Sequence, residues 1–235
     1  MDEFEASLRG PQLDPAVWER VDFASAEGPV PALDDNARIV VANGEATVSV
    51  IPFSKSHPRI QVVDNQKFIY LSKRRFPIAR GKTTHFDVDM AAKVLDGDPR
   101  DFFNAYVTFS VDDLDRGLVF NVAANGQQVR ALYEDLPDFG RTPFCYFVEH
   151  PNVAPLPVPG EYMRCRISFG PGPEQVRFFV EDSLLFEVMA LPVPACEIQI
   201  GMGIFSDIKL GPEGSRSNKG QGAIGKWRRF RVTTE

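Results

Sequence analysis

Apolar and polar residues alternate with a period of two through most of this chain. Across Thr83–Met90, Phe86, Val88 and Met90 fall on one side and His85, Asp87 and Asp89 on the other, the spacing of a half-buried strand. Phe103–Ser110 repeats it, with Ala105, Val107 and Phe109 opposite Tyr106, Thr108 and Ser110. In Tyr162–Phe169, Met163, Cys165, Ile167 and Phe169 oppose Arg164, Arg166 and Ser168. Asn43-Gly44, between Arg38–Ala42 and Ala46–Ile51, predicts a hairpin with a type I′ turn. Ala124-Asn125-Gly126 predicts a second of the same chemistry, between Gly117–Ala123 and Gln127–Tyr133. Glu181-Asp182-Ser183 predicts a third. Arg59–Val63, Lys67–Leu71, Phe144–Glu149, Glu197–Phe205 and Lys226–Thr233 read as further strands. Gly201 and Gly203 mark a close backbone approach or a bulge within theirs. One helical turn is expected at Asp14–Arg20, with Asp14 as N-cap and Pro15 at the first helical position. No long window keeps a 3.6-residue apolar period, and no repeat emerges. About thirteen short strands with frequent turns predict two antiparallel sheets packed face to face.

Composition narrows this picture. The 18 Gly and 19 Pro among 235 residues fit a turn-rich β protein, and no linker divides the chain. One sandwich is expected over residues 38–235, with residues 1–37 as an arm and loop packing on it. The net charge of -6 argues against a nucleic-acid partner, whose phosphates reward a basic surface. No stretch is apolar enough to span a bilayer. The acidic start Met1-Asp2-Glu3-Phe4-Glu5 lacks the features of a secretory signal. Cys145, Cys165 and Cys196 are too widely spaced for a disulfide framework or a zinc site, and read as reduced, mostly buried thiols. Cytoplasmic location is the expectation, and the pattern allows a homodimer through a sheet edge.

Beyond residue 160 the sequence takes a recognisable form. Glu161–Ser168, followed by Val176-Arg177-Phe178-Phe179-Val180-Glu181-Asp182 and Leu184–Val188, resembles the strand–hairpin–strand run of concanavalin A-like lectin/glucanase jelly rolls. Trp227-Arg228-Arg229-Phe230-Arg231-Val232 resembles their terminal strand, and His85–Met90 a central one. Within that superfamily the chain is similar to an uncharacterised bacterial family. That likeness rests on Gln61-x-x-Asp64-Asn65-x-Lys67-x-x-Tyr70, Phe86–Met90 and Gly220-Gln221-Gly222. The resemblance implies an all-β, antiparallel two-sheet jelly roll whose concave face takes the ligand. It transfers no activity.

Glucanases of that superfamily carry carboxylates at Glu-x-Asp-x-Glu or Glu-x-Asp-x-x-Glu spacing, so that acid and nucleophile flank one glycosidic bond. The nearest match is His85-x-Asp87-x-Asp89. A histidine replaces the first glutamate and a shorter aspartate the second. The triplet reads instead as a general acid–base set, His85 having its pKa raised by its acidic neighbours, or as a plain solvated face. Gln61, Asp64, Lys67 and Tyr70 form a second cluster able to bind an oxygenated ligand, or a hydrogen-bonded turn. His57 lies in a loop, and Tyr146 belongs to an aromatic run suited to lining a cleft. The histidines at 57, 85 and 150 have no local metal spacing. Asp112-Asp113-x-Asp115 lacks the glycine and glutamate of a calcium loop and reads as an acidic turn. The leading expectation is a cofactor-independent lyase, isomerase or cyclase acting on a small organic or sugar-like ligand in an aromatic-rich cleft around His85, Asp87 and Asp89. The alternative is a carbohydrate-binding module or a glycoside hydrolase relative.

Overall fold

The computed structural model describes residues 2–3, 8–23, 28–55, 66–98, 100–149, 157–207 and 220–235. In chain order the strands are β1 Asp2–Glu3, β2 Trp18–Arg20, β3 Asp22–Phe23, β4 Val30–Pro31, β5 Ala37–Ala42, β6 Glu45–Val50, β7 Gln66–Ser72, β8 Phe76–Pro77 and β9 Thr84–Leu95. They continue as β10 Tyr106–Asp113, β11 Leu118–Ala124, β12 Val129–Asp135, β13 Phe144–Val148, β14 Tyr162–Phe169, β15 Val176–Val180, β16 Ser183–Val188, β17 Glu197–Phe205 and β18 Gly222–Thr234. The first sheet has the order β16-β15-β14-β9-β18-β6-β5, with β1 also on β18. The second runs β13-β12-β11-β10-β17-β7-β2, with β8 also on β17. Every pairing is antiparallel. The two-sheet antiparallel sandwich expected from the alternation is therefore the fold. Residues before 38 enter both sheets, through β1 and β2.

The apolar parity builds the core. Phe86, Val88 and Met90 of β9 and Cys165, Ile167 and Phe169 of β14 face Phe109, Val111, Phe120 and Val122 of β10 and β11. Phe169 meets Phe86 and Phe120 edge-on, at 5.9 and 5.1 Å between ring centroids, the geometry that ring quadrupoles favour. Trp227 of β18 spans the two layers, its Nε1–H donating to the Thr108 carbonyl at 2.9 Å.

Local chemistry sets the turns. Asn43 and Gly44 both have positive φ, 53° and 76°, as a type I′ turn requires. The β11–β12 hairpin is closed differently from the expectation. Asn125 Oδ1 accepts from the amides of Gln127 and Gln128 at 2.9 and 2.8 Å. Asn125 N donates to the Gln128 carbonyl at 3.2 Å, so the asparagine side chain takes over the return bond of a turn with Gly126-Gln127 at its centre. The helical turn expected at Asp14–Arg20 ends early. Asp14 Oδ1 caps Ala16 N at 2.8 Å, but Trp18 is buried and pairs with Ser72 as the start of β2. The strand expected at 59–63 lies outside the described residues. Among the described residues no helix is long and apolar enough to cross a membrane.

Candidate functional site

His85, Asp87 and Asp89 share one face of β9, as the period-two reading requires, and that face is the outer side of the first sheet. Register places Arg166 beside Asp87 and Ser168 beside His85 on β14. Asp87 accepts from Arg166 Nε and Nη2 at 2.7 and 3.2 Å. Asp89 accepts from Arg228 Nε and Arg229 Nη1, both at 3.2 Å. His85 Nδ1 lies 2.7 Å from Ser168 Oγ, and its Nε2 is 3.9 Å from Glu235. The triplet is thus tied into cross-strand pairs. Its imidazole pKa is pushed down, against the expectation of a rise: burial acts most, then Arg166, outweighing Glu235 and Asp87. The arginines already neutralise the carboxylates that were to raise it. A shallow hollow of about 230 Å³ adjoins His85, bounded by Arg164, Arg166, Arg177 and Phe179. Among the described residues Phe179 is the aromatic ring lining this hollow; the stacked rings lie on the far side of the sandwich.

The other anticipated residues are dispersed. Lys67 is buried, its ammonium donating to the Lys55 carbonyl and standing 5.7 Å from the Phe53 ring. Burial draws its pKa down to about 8, against the pull of Asp34. Tyr70 stacks on Phe68 at 5.0 Å and lines a separate groove of about 370 Å³ with Trp18, Leu33 and Ile39. Tyr146 sits on edge strand β13, 54% exposed. His57, Gln61 and Asp64 lie outside the described residues. Of the three thiols expected to be mostly buried, only Cys165 is; Cys145 is half-buried and Cys196 exposed. Among the described residues no group of three or more His, Cys, Asp or Glu is placed to hold a metal ion.

The outer face of the second sheet is where polarity and burial coincide. On β10, Thr108, Ser110 and Asp112 point away from the core, and register sets Asn121 beside Ser110 and Gln199 beside Asp112. Glu134 of β12 stands in the same row as Asp112, with Val119 between them. All six are buried. Thr108 and Ser110 bond through their hydroxyls at 3.2 Å. Gln199 Nε2 donates to the Ser72 carbonyl at 2.6 Å and to Glu19 at 2.9 Å. Asn121 Oδ1 is buried with no hydrogen-bond partner, and an orphaned buried acceptor is what a ligand hydroxyl would satisfy.

Asp112 is the group this environment changes most. Its residue exposure is 5%; Oδ1 accepts from Phe120 N at 3.2 Å, and the carboxyl also interacts with the Val111 amide. Burial raises its pKa well above the ordinary carboxylate range, and the nearby Glu134 and Asp113 add to the rise. The proton-bearing form is the favoured one. Asp113, on the opposite parity, accepts from Cys196 N at 2.7 Å, the structural part expected of an acidic turn.

Past Ser110 the face turns aromatic. Phe205, Tyr106 and Phe102 stack in series, with centroids 5.4 and 5.1 Å apart and planes within 9° and 17°. Phe147 closes on Phe103 edge-on at 5.1 Å. Arg130 lies across Phe102, its Cζ 4.5 Å from the ring centroid. Phe102, Tyr106 and Phe205 are buried as a second apolar cluster on this face, with Phe103 and Phe147 partly buried against it.

Known proteins place this architecture. A model of a family of unknown function (DUF6081) matches residues 1–235. No curated protein matches the chain. The fold is similar to an endo-1,3-beta-glucanase from Streptomyces sioyaensis, with TM-score 0.62, 11% identity, and 97% and 94% of the two chains covered. It is similar to a glycoside hydrolase family protein from Mycobacterium thermorestibile, at 0.55 and 16%, covering 97% and 98%. A family 7 alginate lyase gives 0.55 and 9%, covering 100% of both. At such identities the likeness is one of fold, the concanavalin A-like jelly roll that the terminal strands resembled.

Proposed function

We propose, for a chain that belongs to this family of unknown function (DUF6081), that the outer face of the second sheet binds a carbohydrate and cleaves its glycosidic bond. The observation that carries this reading is Asp112, a buried carboxyl whose pKa burial raises well above the ordinary carboxylate range, in one row with Glu134. A protonated acid is what a departing glycosidic oxygen needs. Two strand spacings separate the backbones of Asp112 and Glu134, about 9.5 Å. Inverting hydrolysis uses carboxyls about 6.5–9.5 Å apart, leaving room for a water, whereas retaining hydrolysis uses about 5–5.5 Å. Asp112 is then the general acid and Glu134 the base that activates the water. Asn121 and Ser110 supply hydrogen bonds to hydroxyls, and the partly buried rings of Phe103 and Phe147 give the sugar an apolar wall. The kinship of fold with a glucanase and an alginate lyase supports the substrate class.

The test is hydrolysis of laminarin, porphyran and alginate oligosaccharides, with product anomers followed by NMR. The expected product has inverted configuration. Asp112→Asn lowers kcat about 100-fold or more, while His85→Gln leaves it unchanged. Retained activity in Asp112→Asn, or neither cleavage nor binding of any of the three, removes this reading. Binding without cleavage selects a carbohydrate-binding module, which Tyr146 favours: it is exposed and tilted against Phe144 at 4.9 Å, a platform of the kind that sugars stack on.

A further inference from the structure

Arg130 precedes Glu134 by four residues on β12 and shares its face. Two rings fix its guanidinium, with Cζ 4.5 Å from the Phe102 centroid and 5.4 Å from that of Phe103. Nη2 is shared between Gln128 Oε1 at 3.0 Å and Glu149 Oε2 at 3.4 Å. The second contact is long for a charge-assisted bond, and Glu149 is mostly in solvent. Nε is buried and has no hydrogen-bond partner. Nε and Nη2 together form the edge by which a guanidinium grips a carboxylate or a tetrahedral anion through two parallel bonds. Here the guanidinium is packed against two rings, its Nε buried and the side chain 19% exposed, and the edge is only half used. A buried N–H without an acceptor is costly, and an anion placed there relieves the cost.

The rest of the face fixes the direction. The carboxylate of Glu134 makes one end acidic, and Arg130 makes the other cationic, about 13 Å away along the strand. An anionic group is repelled from the first end and received at the second. That separation exceeds one pyranose ring. We propose that the substrate is an acidic oligosaccharide, its carboxylate or sulfate seated on Arg130 and the scissile bond lying more than one ring away at Asp112 and Glu134. This rests on the carbohydrate reading above and deepens it by naming the charge and orientation of the sugar.

Titration calorimetry on the full chain separates the two ideas, using a mannuronate trisaccharide, a sulfated porphyran tetrasaccharide and neutral laminaritriose. At least one acidic probe is expected to bind about tenfold or more tighter than the neutral one, and to weaken as salt is raised. The probe preferred identifies carboxylate or sulfate as the anion. Arg130→Gln is expected to weaken the acidic probe by about tenfold to a hundredfold and to leave laminaritriose unchanged. Arg130→Lys, which keeps the charge and loses the fork, falls between. If Arg130→Gln fails to fold by circular dichroism, Arg130→Lys and the wild-type probe comparison decide. Laminaritriose binding as tightly as both acidic probes, or acidic binding indifferent to Arg130, overturns this inference and leaves the carbohydrate reading standing. If none of the three binds, both fall.

Discussion

Asp112 and Asp87 are both aspartates on strand faces turned away from the core, and their surroundings give them opposite characters. Asp87 is clasped by Arg166 at 2.7 Å. Asp112 has no cation among its described partners and keeps its proton because burial penalises the charge. A stability signature follows. The unfolded chain releases this proton near the ordinary value of 3.8, while the folded chain holds it to a higher pH. Across that window the folded state binds more protons, so its stability falls as pH rises. Asp112→Asn keeps the acceptor for Phe120 N and removes the titration. The variant is therefore expected to melt above the wild type at pH 7 and to match it below pH 3.8. Each kcal/mol of relief is worth about 2–4 °C in a chain of this length. A variant that melts lower at pH 7 would show that the carboxyl is not held protonated.

At the level of elements, β17 makes the face possible. A Cβ on Gly201 would stand 2.1 Å from the Tyr70 carbonyl oxygen and 2.6 Å from Leu71 Cδ2, so β7 lies against bare backbone there. Gly201→Ala is expected to cost about 1–3 kcal/mol, read as a lower urea midpoint at unchanged slope. A neutral result would mean that β7 is free to shift away. The glycines of β17 were legible in the sequence as a close approach, and so were β9, β14 and the Asn43-Gly44 hairpin, because period two and turn chemistry are local. The site was not legible. Thr108, Ser110 and Asp112 alternate with apolar residues as any solvated face does, and nothing local distinguishes a polar face open to water from one that is covered. Glu134 joins Asp112 only through the order β12-β11-β10, a pairing of distant segments. His85-x-Asp87-x-Asp89 had the more conspicuous spacing, but the arginines of β14 and β18 that occupy its carboxylates are also set by non-local register.

Taken as a whole, the molecule has one main core that draws side chains from both sheets, with two smaller apolar clusters on the outer side of the second. The sandwich is expected to open as a unit, and its thiols can report this. Cys165 lies in β14, between β9 and β15, fully buried, and burial pushes its thiol pKa well up. Thiolate is the reactive form, so modification requires both exposure and deprotonation, and neither is reached while β14 remains paired on both sides. Cys196 is exposed. With Ellman's reagent at pH 8, Cys196 is expected to react at once, and Cys196→Ser to remove that phase. Cys165 is expected to stay silent until urea reaches the global transition, and its labelling to rise in step with the loss of the β signal in circular dichroism. Coincident curves mean that the free energy of exposing the middle of the first sheet equals that of unfolding the chain. Cys165 labelling well below the transition would mean instead that β14–β16 detach from β9 while the second sheet stays folded, a sandwich whose layers are separable despite their shared core.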